Sequence, residues 1–198
     1  MILYFDTETT GLKPGKIIQL SYIMDYGDKT TCKNFYFAVD YVEPSASMVH
    51  GITVEMLQKL SHGKTFSDYI DEIEKDFSEA KLIVAHNARF DISFMTAEFS
   101  YAAKTFSYNE VLDTMRYFTP ILQIKRPFGR GIKFPNLQEF YTALDVYPFE
   151  AVNFAKKNFE SNDAKAHDAT FDTAAMFLAT KNACEKYPDF NDYLKKYL

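Results

Sequence analysis

Several residue types are scarce in this chain of 198 residues, and each scarcity excludes something. The only two cysteines, Cys32 and Cys184, are distant in sequence and form neither a zinc-type nor a redox-type spacing. A disulfide framework is therefore excluded, and a reduced, cytoplasmic protein is the simplest expectation. No apolar run is long enough to cross a membrane. The N-terminal residues also lack a basic segment followed by an apolar stretch, so no signal peptide is expected.

Cations are outnumbered, with 22 Lys and Arg residues against 27 Asp and Glu residues and a formal net charge of −5. This balance argues against a strong non-specific grip on phosphates. It does not exclude nucleic acid, because clustered carboxylates that hold cations lose their negative charge when loaded. Tryptophan is absent, but 19 Phe, 14 Tyr and a hydrophobic share of 47% suffice for a sizeable core. We expect one domain over residues 1–198.

The hydrophobic pattern predicts three strands first and then strands alternating with helices. The predicted strands are Met1–Phe5, Lys16–Tyr26, Thr30–Asp40, Lys81–Ala85 and Val111–Asp113. The predicted helices are Thr53–Leu60, Thr65–Phe77, one beginning at Asn87, Asn136–Leu144, Pro148–Phe159, Ala169–Glu185 and one from Pro188 to Leu198. Tyr41–Thr53 and Ser161–Ala166 are predicted as loops, and the Pro- and Gly-rich stretch Thr119–Pro135 as a loop or broken helix. This order indicates an α/β domain with a mixed sheet.

Two carboxylates, Asp6 and Glu8, follow the first apolar strand and are two residues apart. Side chains alternate along a strand, so both point to the same face. Each raises the proton affinity of the other, which is unfavourable unless a cation lies between them. The alternative is a solvated strand end without function.

Asp91 follows the apolar run at residues 82–85 and would lie in the first turn of a helix capped by Asn87. A negative charge there suits the helix dipole without any functional role. Taken alone, Asp91 favours that structural interpretation.

His167 and Asp172 precede and begin the longest predicted helix. Five helical residues would separate them by about 140°, so the two cannot share a helix face. His167 is therefore expected on the loop, above a site that Asp172 faces. Alternatively, Asp168 simply caps the helix and His167 has no functional role. Taken alone, a single histidine favours this alternative.

Taken together, Asp6 and Glu8, Asp91, and the pair His167 and Asp172 favour a functional site over separate structural roles. Their carboxylates can converge on one pocket, and hard oxygen ligands favour Mg²⁺ or Mn²⁺ over Zn²⁺. Two such ions about 3.5–4 Å apart could hold a scissile phosphate. A neutral histidine could then accept the proton of a water near neutral pH.

Three motifs in order resemble a known family. They are Phe5-Asp-Thr-Glu-Thr-Thr-Gly-Leu12, His86-Asn-Ala-Arg-Phe-Asp91 and His167-Asp-Ala-Thr-Phe-Asp172, with Val49–Thr53 and Asp113-Thr114 as further elements. The chain resembles the DEDDh exonucleases of the DnaQ-like group, within the ribonuclease H-like superfold, over residues 1 to about 185. The stretch His86–Met95 is most similar to the proofreading epsilon subunits of bacterial DNA polymerase III. The resemblance implies a mixed five-stranded sheet flanked by helices and a 3′→5′ exonuclease activity.

The resemblance also implies roles for individual residues. Asp6, Glu8 and Asp172 would bind metal directly, Asp91 would bind the second metal, and His167 would be the general base. The implied substrate-binding residues are Thr7, Thr9, Leu12, His50 and Phe90, with Leu12 and Phe90 against the terminal bases and His50 against the terminal nucleotide. The family often has an acidic residue near Ser45 that touches the sugar, and Ser45 departs from that pattern.

Other aromatic and basic residues have plainer interpretations. Phe94, Phe99, Phe171 and Phe177 have helical spacings and are predicted to be core, and His62 is predicted to lie in a surface loop. Basic residues in the stretch 119–135 are either a solvated loop or a strip that binds phosphates, namely Lys125, Arg126, Arg130 and Lys133.

Three functions remain open from the sequence. The first is a DNA 3′→5′ exonuclease acting on a single-stranded 3′ end, in which case a DNA polymerase catalytic subunit could be a partner. The second is an RNA-trimming exonuclease, because the motifs do not read the 2′-hydroxyl. The third is a non-catalytic binding subunit, which the full set of acidic residues and His167 disfavours.

Overall fold

The five strands form one sheet in the order β3-β2-β1-β4-β5. The computed structural model describes residues 1–13, 15–159 and 168–198. The strands are β1 (Ile2–Thr9), β2 (Ile17–Asp25), β3 (Thr30–Tyr36), β4 (Leu82–Ala85) and β5 (Val111–Asp113). β1, β2 and β3 are antiparallel neighbours, whereas β4 pairs in parallel with β1 and with β5. The mixed five-stranded sheet predicted from the sequence is therefore confirmed.

Helices cover both faces of this sheet. They are α1 (Pro44–His50), α2 (Val54–Leu60), α3 (Ile70–Glu79), α4 (Ala88–Tyr101), α5 (Thr114–Leu122), α6 (Leu137–Ala143), α7 (Pro148–Asn158), α8 (Ala169–Lys186) and α9 (Pro188–Lys195), with a 3-10 turn at Phe66–Asp68 before α3. None of the helices in the described part of the chain is long and apolar enough to span a bilayer.

The sheet separates two apolar clusters because side chains alternate along β1. Ile2 and Tyr4 pack with α8, whereas Leu3 and Phe5 pack with α3 and α4 on the opposite face. The four aromatic residues predicted to be core are all buried, which confirms that prediction: Phe94, Phe99, Phe171 and Phe177. His62 is exposed in a turn, as predicted.

Two strand boundaries were predicted wrongly. β1 continues through Thr9 instead of ending at Phe5, because β2 supplies pairing partners as far as Ile17. β3 ends at Tyr36 and not at Asp40. The polar residues of the first motif therefore lie within a strand, where the backbone holds them in alternation.

Two helical regions also differ from expectation. The stretch Tyr41–Thr53 was predicted as a loop but contains α1. This helix begins at Pro44, and Gly51, with φ 75°, caps its C-terminal end. Pro is favourable at a helix start and Gly at its end, so the same residues that suggested a loop delimit a helix. The single helix expected over Thr65–Phe77 is divided, since Thr65 and Asp68 form a capping box around the 3-10 turn.

Pro120, at the start of the stretch predicted as a loop or broken helix, lies inside the last turn of α5. α5 extends only two residues beyond it, to Leu122, so the proline removes a single helical hydrogen bond near the end. Asn87 occupies the position before α4, but its φ is 71° and its side chain makes no capping hydrogen bond. Asn87 is thus the N-cap residue of α4, as predicted, but its side chain does not satisfy a helix amide. The loop predicted over Ser161–Ala166 lies outside the described residues.

Candidate active site

Asp6 and Glu8 project from the α8-facing side of β1. Their antiparallel partners are Ser21 and Gln19 on β2. Extension of β1 through Thr9 fixes the two carboxylates on one face, two residues apart, as predicted from strand geometry.

α8 brings the third carboxylate of the site to the sheet. It packs across β1 and β2, and Asp172 lies in its first turn. Thr173 donates a hydrogen bond to the Ser21 carbonyl at 3.2 Å, which anchors this turn to β2. One carboxylate oxygen from each of Asp6, Glu8 and Asp172 lies within 4.8 Å of the others.

The electrostatics of this cluster follow from burial and like charge. Burial has the largest effect on Asp6 and raises its pKa well above the usual value. The negative charges of Asp91, Asp172 and Glu8 raise this pKa further. Burial and then Asp172 raise the pKa of Glu8 to about 9. Three carboxylates so close together favour protons or cations, because either removes the mutual repulsion.

Asp91 is held differently from the other acids. It lies in the first turn of α4 and is 3% exposed. The Thr7 hydroxyl donates to its Oδ1 at 2.7 Å and the Thr7 amide at 3.2 Å. Burial raises the pKa of Asp91 to about 7, while the hydrogen bonds from Thr7 oppose that rise. Thr7 points to the α4 side of β1, so a single strand presents the Asp6 and Glu8 carboxylates on one face and orients Asp91 on the other.

The donor set suits hard divalent cations. All three clustered side chains offer carboxylate oxygens, and Mg²⁺ and Mn²⁺ prefer such ligands. The raised pKa values of Asp6 and Glu8 mean that a cation would replace protons and relieve repulsion. The residues therefore fit the metal that the motif implies.

Gln19 organises the start of α8, and the sequence analysis missed it. It is fully buried on β2. Its side-chain Oε1 accepts a hydrogen bond from the Ala169 backbone amide at 3.2 Å, and its side-chain Nε2 donates to the Asp168 carboxylate at 3.3 Å. Asp168 caps α8 by accepting from the Thr170 amide at 2.9 Å. Asp168 therefore caps α8, as the alternative without a functional role predicted. Its hydrogen bond from Gln19 also connects this cap to the sheet. These contacts join residues about 150 positions apart, so no local sequence pattern indicates this role.

A cavity of about 290 Å³ adjoins Glu8. All five residues that the resemblance implied for substrate binding line it, together with the Ser45 position: Thr7, Thr9, Leu12, His50 and Phe90. Leu12 is 85% exposed, whereas Phe90 is half-buried and packs its ring 4.9 Å from that of Phe94. The structure thus brings together residues from β1, α1 and α4.

Two local features shape this cavity. His50 is buried at the end of α1, and its Nδ1 accepts from the Ile52 amide at 3.0 Å, so the neutral ring carries its proton on Nε2. Gly11 lies directly against the Glu43 carboxylate, where any Cβ would come within 2.4 Å of the Glu43 Cδ. A side chain at position 11 would therefore displace the flexible end of the Glu43 side chain beside the loop that carries Leu12.

His167, the residue implied as general base, lies outside the described residues. Asp172, five residues later, is described and belongs to the carboxylate cluster.

Comparison with known sequences agrees with this geometry. Residues 3–179 match the RNase_T family, described as exonuclease. DNA polymerase III subunit epsilon of Escherichia coli is 37% identical over 108 residues, which cover 50% of this chain and 43% of that protein. The same subunit of Rickettsia conorii is 34% identical over 112 residues, covering 52% and 46% respectively. The chain thus spans about half the length of the curated relatives it matches.

Two solved structures share the fold. Exonuclease I of E. coli in complex with a dT13 oligonucleotide superposes with a TM-score of 0.72 at 20% identity, covering 98% of this chain and 43% of that one. Exonuclease X in complex with 5′-overhanging duplex DNA superposes with a TM-score of 0.62 at 20% identity, covering 93% of each chain. The chain belongs to the exonuclease family, which confirms the predicted DnaQ-like membership, and its fold is the ribonuclease H-like fold that was predicted.

Proposed function

We propose that this chain is a metal-dependent 3′→5′ exonuclease that releases nucleoside 5′-monophosphates from a single-stranded nucleic-acid end, with DNA as the favoured substrate. The observation that carries the proposal is the cluster of three carboxylates beside a cavity lined by the motif residues. We further propose that residues 1–198 act as one exonuclease domain. Its two free cysteines, Cys32 and Cys184, suit a reducing cytoplasm.

Asp6, Glu8 and Asp172 would hold the divalent cations, with Asp91 as the fourth acidic ligand. Two Mg²⁺ or Mn²⁺ ions would supply Lewis-acid stabilisation of the charge that develops on the scissile phosphate. His167, assigned from its motif, would accept the proton of the attacking water as a neutral imidazole. Thr7 would keep Asp91 ionised and oriented through its two hydrogen bonds.

The cavity beside Glu8 would receive the terminal nucleotide. Leu12 and Phe90 offer apolar surfaces to its base, which favours recognition of a terminal base by packing and stacking rather than by sequence. His50 would donate from Nε2 to the nucleotide, and the backbone around Thr7 and Thr9 would approach the sugar.

DNA is favoured over RNA because the relatives carry the name DNA polymerase III subunit epsilon and Exonuclease I is solved with dT13. The same name favours a DNA polymerase catalytic subunit as the protein partner. RNA trimming is the competing activity, and a substrate panel separates the two.

The deciding experiment uses purified protein with DNA and RNA single strands of identical sequence, labelled at the 5′ end. We expect stepwise shortening from the 3′ end with Mg²⁺ or Mn²⁺, faster for DNA, and none with EDTA or in the Asp6→Ala variant. Activity undiminished by EDTA, cleavage at internal positions, or loss of nucleotides from the 5′ end would contradict the proposal. Faster degradation of RNA would move the substrate assignment to the competing activity.

A further inference from the structure

The chain concentrates positive charge in one stretch. Residues 114–138 contain no Asp or Glu, although the formal net charge of the protein is −5. Five basic residues occupy this stretch: Arg116, Lys125, Arg126, Arg130 and Lys133. Such a local reversal of sign concentrates an anionic partner at one surface.

Most of these residues lie on a small hairpin that we call the basic hairpin, residues 124–134. Lys125 forms an antiparallel bridge with Ile132, and the Lys133 amide donates to the Ile124 carbonyl at 2.8 Å. Gly129 and Gly131 have φ values of 92° and 98°, so they form a turn that other residues adopt only with strain. The hairpin is thus an ordered projection.

The tip of the basic hairpin presents an aromatic ring between cations. Phe128 is 89% exposed and stands between Arg126 and Arg130 in sequence. Lys133 pairs with Glu139 at 2.7 Å. Over residues 1–13, 15–159 and 168–198, Lys125, Arg126 and Arg130 have no carboxylate partner within 4.0 Å. Arg126 Nε donates to the Ile132 carbonyl at 3.2 Å within the hairpin, and no carboxylate of the described residues balances these three charges.

The base of the hairpin is fixed to the connection between β4 and α4. Burial lowers the pKa of His86, so its ring is neutral near pH 7. Its Nε2 donates to the Pro135 carbonyl at 3.0 Å, and its Nδ1 lies 2.9 Å from the Thr114 hydroxyl. His86 directly follows β4 and precedes α4, which carries Asp91. The connection that positions a site carboxylate therefore also positions the hairpin.

An open depression that two arginines line adjoins the end of the hairpin. The Arg116 guanidinium lies 5.5 Å from the centre of the Phe134 ring, at the end of the hairpin. Arg116 and Arg89 both line an open depression of about 450 Å³. Arg116 also pairs with Asp113 at 3.5 Å, so its charge is partly balanced, and its contact with Phe134 places this depression beside the hairpin.

We propose that the basic hairpin binds the nucleic-acid strand beyond the nucleotides held at the carboxylate site. Arg126 and Arg130 bind phosphates, and Phe128 stacks on an unpaired base. The inference rests on the proposed exonuclease function for the identity of that strand. Interleaved cations and aromatics match single-strand binding surfaces, in which charge follows the backbone and rings stack on bases. Phe128, Ile132 and Phe134 are all exposed on the hairpin but are interleaved with cations, a pattern that suits the bases and phosphates of a single strand better than a continuous apolar protein contact.

The test measures binding in EDTA, where no cleavage occurs, by fluorescence anisotropy of labelled single strands from two to about 16 nucleotides long. Wild-type affinity should rise with length. The Arg126→Ala/Arg130→Ala variant should bind the longest strand about tenfold more weakly and the dinucleotide as tightly as wild type. The slope of log K against log salt should flatten by about 0.7 for each phosphate that the variant no longer neutralises. Phe128→Ala should weaken binding about tenfold and Phe128→Tyr only slightly, because both rings stack.

Two matched controls separate the hairpin from general effects. Lys29→Ala/Lys75→Ala removes two exposed lysines elsewhere, and Phe149→Ala removes a 62% exposed ring on α7. Both should bind like wild type. Thermal melts of all variants should match, since every mutated side chain is exposed. The DNA series is repeated with RNA of the same sequence, because phosphates and bases are common to both.

Several results would overturn the inference. One is an unchanged affinity for long strands in the hairpin variants. Another is an equal loss of affinity in the Lys29→Ala/Lys75→Ala control, or an equal loss of affinity for the dinucleotide. A third is a hairpin variant that binds strands normally and binds only an added polymerase subunit more weakly. Failure of the proposed function would look different. Wild-type protein would then bind long strands through the hairpin but hydrolyse none of them with Mg²⁺ or Mn²⁺.

Discussion

Asp91 and Thr7 illustrate control of a carboxylate by one neighbouring residue. Asp91 is almost completely buried, which favours its protonated form, and the two Thr7 hydrogen bonds stabilise the ionised form. A ligand to a cation must be ionised, so Thr7 opposes the effect of burial where charge is needed. The proposed metal site therefore depends on a residue that need not touch the metal.

We predict that Thr7→Val lowers kcat about 10–100-fold at neutral pH, the range found when residues that orient metal ligands are removed. Loss of the hydroxyl raises the pKa of Asp91 further above its present value of about 7, so activity should recover partly as pH rises. Thr7→Ser keeps the donor and should restore most activity. Rate against pH at several Mn²⁺ concentrations checks this. Full activity in Thr7→Val would show that the hydrogen bond is only structural.

Phe90 and Phe94 form a matched pair on α4. Phe90 is half-buried and lines the cavity, whereas Phe94 is fully buried. Phe90→Ala should raise KM for single strands about tenfold, as expected when one base can no longer stack. Phe94→Ala should cost about 3–5 kcal/mol of stability with a smaller change in KM.

Steady-state kinetics and denaturant unfolding on the two variants measure both quantities. If Phe90→Ala unfolds as early as Phe94→Ala and binds strands normally, the Phe90 ring is core and does not touch a base.

His167 should act on rate and not on metal binding. As a general base it contributes about 10²–10⁴-fold, so His167→Ala should lower kcat by that factor. Calorimetric Mn²⁺ titration should give an affinity close to wild type. Loss of the metal in this variant would make His167 a ligand and the general-base assignment wrong.

At the scale of elements, α8 depends on the sheet for its first turn. Its N-terminal amides bond to Gln19 and Asp168, and Gln19 also donates to Asn34 and Tyr36. One buried amide thus links β2, β3 and the helix that carries Asp172. The position of Asp172 follows from this network as well as from the packing of α8 across β1.

We predict that Gln19→Ala destabilises the fold by about 2–4 kcal/mol, because several buried polar groups lose their partner at once. The first turn of α8 loses its anchor, so kcat should fall further than stability alone explains, while KM stays close to wild type. Unfolding and kinetics are measured well below the melting temperature. The control is Gln138→Ala, which alters an exposed glutamine on α6. Unchanged kcat in folded Gln19→Ala would leave Gln19 with a purely structural role.

At the scale of the whole molecule, the site carboxylates act against stability when no cation is bound. Glu8 has a pKa of about 9 in the folded protein against an ordinary value of 4.5, so folding takes up a proton between these values. The stability from protonated Glu8 is full below about pH 4.5 and is lost as pH rises toward its folded value. A cation replaces that proton, so its effect should grow with pH.

We predict that Mn²⁺ raises the melting temperature more at about pH 8 than at about pH 5.5, where protons already neutralise the cluster. At a hundred times Kd the gain is about 2.7 kcal/mol. In EDTA at the higher pH, Asp6→Asn should melt above wild type because asparagine is neutral without taking up a proton on folding, and it should gain much less from Mn²⁺. Thermal melts of both proteins at both pH values test this. A less stable Asp6→Asn in EDTA would show that hydrogen bonds prebuild the site.

Much of the fold was predictable from local patterns. The order of strands and helices, the shared face of Asp6 and Glu8 and the cap at Thr53 were predictable, because each depends on short-range periodicity or on side chains a few residues apart. The largest errors were β1 beyond Phe5 and the helix α1, where polar and turn-forming residues concealed regular structure. In β1, pairing with β2 outweighed local propensity.

By itself the sequence determined the chemistry available to this protein: four acidic residues, a histidine and the ordered motifs that carry them. The tertiary structure alone decided which groups meet. The hydrogen bond between Thr7 and Asp91 joins residues 84 positions apart in the sequence. The hydrogen bond between Gln19 and Ala169 joins residues 150 positions apart. His86 fixes the basic hairpin at Pro135. Such long-range bonds arise from the packing of helices on a sheet, and the free energy of that packing depends on three-dimensional shape that no local pattern encodes.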